Sequence, residues 1–297
     1  MKTLLLINLL IFLSGMISCT HLKDRNVDEF KVWGYQLQGY NSPYDYRRIY
    51  ETQNTLWVID RDYKDRKVDS SKIMRLKENG NLIISYFSIG EAEDYRDYYK
   101  NMPRDLVEHE NKNWEGNFKV KYWDSRWHKI MLRYLDGILD SGFDGVYLDI
   151  VDAFDYYPEE MKKQRANQMQ GLIALISKHA KRKNPQFKII QQNGSSIIHY
   201  LDDPTKWYSL IDGLAIESMF FSGSKAMNNA FKLDDSIMST LGSYRDQNIP
   251  IFSVEYISDD ALIKKYAQLA KEYKVIPLTS DRELMGSLKF SSEIFSN

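Results

Sequence analysis

Apolar residues cluster in short runs along the chain, and stretches with helical spacing separate them. Eight runs read as strands: VWGYQLQGY (32–40), LWVIDRDY (56–63), NLIISYFSIG (81–90), GVYLDIVD (145–152), KIIQQNG (188–194), GLAIESMF (213–220), IPIFSVEYI (249–257) and KVIPLTSD (274–281). They are rich in β-branched and aromatic residues and bounded by turn formers. Between them, apolar positions three and four apart predict amphipathic helices, as at Ile130, Tyr134, Leu135 and Ile138, or Met169, Leu172, Ile173 and Ile176. Helix-stop signals agree, since Asn79-Gly80, Ser141-Gly142 and Asn184-Pro185 each fall just ahead of a strand run. This alternation predicts a parallel sheet with crossover helices. With eight units and no Gly-rich phosphate turn after the first, a closed (β/α)8 TIM barrel is favoured over an open doubly wound sheet.

Polar and acidic residues gather at the C-terminal ends of these runs: Asp60 and Asp62; Tyr86 and Glu91; Asp149 and Asp152; Gln192 and Asn193; Glu217; Glu255 and Tyr256. A carboxylate at the end of a buried strand is costly unless it is used, and a closed barrel collects all such ends around one mouth. Hydrolysis of a glycosidic bond needs one carboxyl that keeps its proton and one ionised partner. Asp60, Tyr86, Glu91, Asp152, Gln192, Asn193, Glu255 and Tyr256 are therefore expected to contact substrate around a carboxylate pair. Structural uses compete: Asp149 could cap a strand-end turn, Glu217 could pair with a Lys or Arg, and Asp152 could cap the helix beginning near Pro158. Asn193 could fix a turn with Gly194. The connection spanning residues 91–124 is too long for a simple turn and is rich in rings; Trp123 and the group around Tyr95 are its candidate sugar-stacking surfaces.

The first residues, MKTLLLINLLIFLSGMISC, run from a lysine through an apolar stretch to small residues and the only cysteine. The apolar run from Leu4 to Leu13 is shorter than the roughly 17–25 residues of a membrane span, so residues 1–18 are expected to be a signal peptide. Met16-Ile17-Ser18-Cys19 resembles a bacterial lipobox, with Met16 where Leu is usual. The expectation is an exported envelope lipoprotein, anchored to the membrane through a lipid on Cys19, with residues 19–30 as a polar tether and 31–297 as a single domain. The 297 residues fit one barrel of about 250 after such a leader. A formal net charge of -1 and a pI near 6.5 give no basic footprint for nucleic acid. The five histidines are scattered, without HExxH or a Cys/His cluster, so no metal or other cofactor is expected. A monomer is expected.

Several segments carry a family likeness. WGYQLQGY, VIDRDY, IISYFSIGEAEDYR, FDGVYLDIVDAF and LAIESMF resemble endo-α-1,4-polygalactosaminidase and its bacterial relatives in glycoside hydrolase family 114. The resemblance implies a TIM-type barrel that cleaves α-1,4-linked, galactosamine-containing polysaccharide. It also implies that Asp149 and Glu217 form the catalytic pair, Glu217 as general acid and Asp149 as nucleophile or base. The residues add a reason for a cationic amino sugar: Asp60, Asp62, Glu91, Glu93, Asp94, Asp149, Asp152, Glu217 and Glu255 would crowd one face of a nearly neutral protein, and a focused negative field attracts cations. The competing expectation is a non-catalytic surface lipoprotein that binds polysaccharide on the same barrel.

Overall fold

The computed structural model describes residues 25–39, 46–63 and 66–286. Eight parallel strands form one sheet in chain order: β1 (Trp33–Gln36), β2 (Leu56–Ile59), β3 (Leu82–Ser88), β4 (Gly145–Asp149), β5 (Lys188–Gln192), β6 (Gly213–Glu217), β7 (Ile251–Glu255) and β8 (Ile276–Thr279). One helix fills each crossover: α1 (Arg47–Glu51), α2 (Ser70–Lys77), α3 (Ser125–Asp140), α4 (Glu159–Lys183), α5 (Pro204–Leu210), α6 (Asp235–Asp246) and α7 (Asp260–Glu272). This is the (β/α)8 barrel that the alternation of runs predicts. Closure is nearly complete. Pro277 has no N–H to give a ladder, and β1 meets β8 through the Trp33 indole N–H, which donates to the Ile276 carbonyl at 3.1 Å.

The strand runs are apolar on both faces because both are buried. Outward residues such as Trp57, Ile83, Val146, Leu148, Ile189 and Leu214 pack under the helices, and inward ones form a second core. That inner core is unusually aromatic for a barrel, where branched aliphatic residues commonly dominate. Trp33, Tyr35, Tyr86, Tyr147, Phe252 and Tyr256 fill it, with Tyr35 and Tyr147 ring centroids 5.1 Å apart. Helix α3 shows how the outer layer forms: Asp124 caps it by accepting from the Arg126 N–H, and Trp127, Ile130, Met131, Tyr134, Leu135 and Ile138 make its buried stripe.

Two findings revise the expected boundaries. Val27 and Phe30 are buried against Trp33 and Leu56 in the inner core, so the domain begins ahead of residue 31 and the second half of the expected tether belongs to it. The long connection after β3 is not a loop. It holds a three-stranded antiparallel sheet in which Asn117–Val120 lies between Glu91–Glu93 and Val107–Glu110. The expected signal peptide, Cys19 and the C-terminal tail lie outside the described residues. Among those described, no helix is long and apolar enough to cross a membrane.

Candidate active site

Strands β4, β5 and β6 end alike. Asp149, Gln192 and Glu217 are their last residues, and each is followed by a residue in the left-handed region: Ile150 (φ 59), Asn193 (φ 52) and Ser218 (φ 50). None is glycine and Ile150 is β-branched, so these turns store roughly 1–3 kcal/mol each. Each turn sends the chain away sharply and leaves the preceding side chain at the mouth. The motif around Gly90 has its reason here, because a Cβ at Gly90 would lie 2.3 Å from the Ile150 carbonyl. Only glycine lets the loop after β3 pass the strained turn that ends β4.

Both carboxyls are held by donors. Asp149 accepts from the Tyr86 hydroxyl at 2.6 Å on one oxygen and from the Ile150 N–H at 2.7 Å on the other. Glu217 accepts from the Gln192 amide at 2.9 Å and from the Tyr256 hydroxyl. Its own backbone N–H donates to the Asn193 side chain at 3.0 Å, so Asn193 both makes a turn and fixes the end of β6. Burial pushes the Asp149 carboxyl up to about 8, with the Glu217 charge adding to the shift and the Tyr86 hydrogen bond opposing it. Burial also raises Glu217, against the Tyr256 hydrogen bond. Asp149 senses the Glu217 charge, and carboxyls so coupled titrate as a unit, so the pair retains a proton near neutral pH. Asp152 is raised to about 6, again by burial.

The cavity above them has a volume of about 530 Å3, within the usual range for a ligand site. Asp60, Tyr86, Asp152, Gln192, Asn193 and Tyr256 line it with Asp149 and Glu217, as expected. Three expected residues do not. Glu255 follows the inward-facing Val254, so strand alternation turns it outward. It is fully buried there, and its two oxygens accept from the Phe220 and Phe221 N–H groups at 2.8 and 3.3 Å. Burial pushes it up to about 8 against those hydrogen bonds. Glu91 is buried under the small sheet, where it accepts from Asn111 and Tyr156. Trp123 packs edge-on against Tyr122 and Tyr157, and the Arg165 guanidinium covers its ring at 3.4 Å.

The acidic wall is also less negative than a count along the sequence implies. Asp60 is bound by both terminal nitrogens of Arg96 at 2.7 and 2.9 Å, Glu93 by the same arginine at 2.8 Å, and Asp62 by Arg61 at 2.6 Å. No local sequence pattern marks these two arginines, nor Tyr35, Glu115 and Arg282, which line the cavity with Trp114. Trp114 had only its place in the excursion to mark it. The turn that carries it is tied by hydrogen bonds from Trp114 to Asn111 and from Asn117 to Trp114. Trp114 and Tyr95 are 56% and 48% exposed, and both face this cavity.

An eight-stranded barrel with two half-buried, donor-held carboxyls from different strands at its mouth is the architecture of a barrel glycoside hydrolase. The chain belongs to glycoside-hydrolase family GH114, which residues 21–294 match. It is 36% identical over 278 residues to an uncharacterized protein of Methanocaldococcus jannaschii, covering 85% of this chain and 77% of the other. An uncharacterized protein of Deinococcus radiodurans is 30% identical over 257 residues, covering 85% and 80%. Among solved structures, the glycoside hydrolase domain of PelA from Pseudomonas aeruginosa superposes with a TM-score of 0.65 at 16% identity, covering 86% of this chain and 97% of that one. Aspergillus fumigatus Ega3 in complex with galactosamine gives 0.61 at 18% identity, covering 85% and 92%. At these identities the two structures support the fold.

Proposed function

We propose that this protein hydrolyses an amino-sugar polysaccharide, an α-1,4-linked galactosamine-containing polymer, with Asp149 and Glu217 as the reacting pair. The observation that carries the proposal is that these two carboxyls, at the ends of β4 and β6, line one cavity and are each held by hydrogen-bond donors, with burial raising both. Glu217 gives its proton to the glycosidic oxygen as that bond breaks. Asp149 either attacks the anomeric carbon or takes a proton from the attacking water; carboxyl separations of about 5–5.5 Å mark the first course and about 6.5–9.5 Å the second. Even with the Tyr86 and Ile150 hydrogen bonds in place, burial favours a proton on Asp149 before substrate binds; an approaching ammonium then favours the charged form that reacts. Asp152 lines the cavity with no ion-pair partner among the described residues, which suits it to receive that ammonium.

Asp149→Asn and Glu217→Gln should each lower the release of reducing ends by about 10²- to 10⁴-fold. The roles separate on a substrate with an activated leaving group, which should restore turnover to Glu217→Gln and not to Asp149→Asn. Wild-type turnover in either variant on the polymer removes that residue from the pair. We further propose export and anchoring through Cys19. Cys19→Ser should then leave the membrane fraction, and an unlipidated mature N-terminus in the wild type would end that proposal.

A further inference from the structure

Arg282 is the single basic residue that lines the cavity, among many acids. It stands in the turn after β8, where its guanidinium carbon lies 4.7 Å from the centre of the Tyr256 ring. It makes no ion pair among the described residues, unlike Arg61 and Arg96, whose charges are spent on Asp62, Asp60 and Glu93. Its charge nevertheless reaches the centre, since it opposes the upward shift of Glu217. On the β4 side the situation is reversed, with Asp152 an unpaired carboxylate. Near the pair the cavity is therefore polarised: Asp152 stands as an unpaired anion on one side, and Arg282 as an unpaired cation beside the Tyr256–Glu217 contact on the other, although Glu283 next to it in the chain also lines the cavity.

We propose that this polarity selects the pattern of N-acetylation, with Arg282 as the specificity-determining residue. The inference rests on the amino-sugar reading above. A sugar on the Asp152 side is bound as a free ammonium. A sugar on the Arg282 side is bound in its N-acetylated form, because the guanidinium repels an ammonium and donates to an acetamide carbonyl. The enzyme then prefers bonds joining an acetylated to a deacetylated residue over bonds within a uniform block of either.

The test is exhaustive digestion of a partly N-acetylated α-1,4-galactosaminan, with the residues at both new ends identified by mass spectrometry. One new end should be enriched in acetylated sugar and the other in free amine. Arg282→Gln should erode the acetyl preference at its end by on the order of fivefold, the discrimination that two like charges about 4 Å apart give in water. The preference at the other end should persist in Arg282→Gln and weaken in Asp152→Asn. If the polymer is cleaved but both ends carry the same preference, or if Arg282→Gln leaves the acetyl preference unchanged, the proposal is overturned while the hydrolase reading stands. If no galactosaminan of any acetylation is cleaved, the substrate reading itself fails and this inference fails with it.

Discussion

Asp149 carries two consequences of burial that can be measured separately. Its folded carboxyl is raised from 3.8 to about 8, so between those values the folded state binds a proton that the unfolded chain has released. Stability linked to this group is therefore present at low pH and lost as pH rises through about 8. Asp149→Asn removes that titration, so its Tm relative to wild type should climb as pH is raised from about 4 to 8. A difference independent of pH would show that the carboxyl is not raised. Activity should follow the pair's shared proton, with an alkaline limb at about 8, where the Asp149 carboxyl titrates. Glu255 behaves differently because both its oxygens accept from backbone N–H groups of the segment that follows Glu217. Glu255→Gln turns an NH2 group toward one of those donors. It should cost about 1–3 kcal/mol of stability for the unsatisfied group, seen as a lower denaturation midpoint, and loosen the end of β6. Of the residues named from sequence, those with the inward parity of their strand reached the cavity, and Glu255, with the opposite parity, did not.

The excursion between β3 and α3 is the element that sets the reach of the site. Its small sheet hides Glu91, brings Asn111 and Trp114 over the mouth, and positions Glu93 on the buried Arg96. Trp114 is held by its turn and exposes a flat apolar face, which suits the C–H face of a pyranose ring. Trp114→Ala should raise KM for polymer severalfold, a loss on the order of 1 kcal/mol, and leave Tm nearly unchanged because the ring is more than half exposed. An unaltered KM across oligomer lengths would remove the excursion from substrate binding. The sequence marked this segment by its length and its rings but could not choose among them. Trp123 and Trp114 lie nine positions apart and look alike in composition; Arg165, from a helix far along the chain, covers one, while the other stays more than half exposed.

For the whole molecule, the question is how much field the mouth presents. Nine carboxylates appeared to crowd it in sequence. Three are bound to Arg61 and Arg96, and Glu91 and Glu255 are turned away. The unpaired acids that remain in the cavity still outnumber Arg282, so a deacetylated polymer should be cleaved faster than its fully N-acetylated form at low salt. The advantage should shrink as the Debye length falls below about 10 Å, near 0.1 M salt; equal rates on both forms would mean the field plays no part. The sequence by itself determined the barrel, because eight apolar runs alternating with amphipathic helices have few ways to bury both faces of every strand. It also determined that acids from the fourth and sixth runs share a mouth, because in a parallel barrel all strands end on the same side. Tertiary structure alone decided which acids are free and which are neutralised, and which ring is left bare. It also decided that residues 27–30 plug the barrel. These depend on contacts between residues far apart in the chain, such as Arg96 with Asp60 or Arg282 with Tyr256, and no local pattern of hydrophobic and polar positions encodes them.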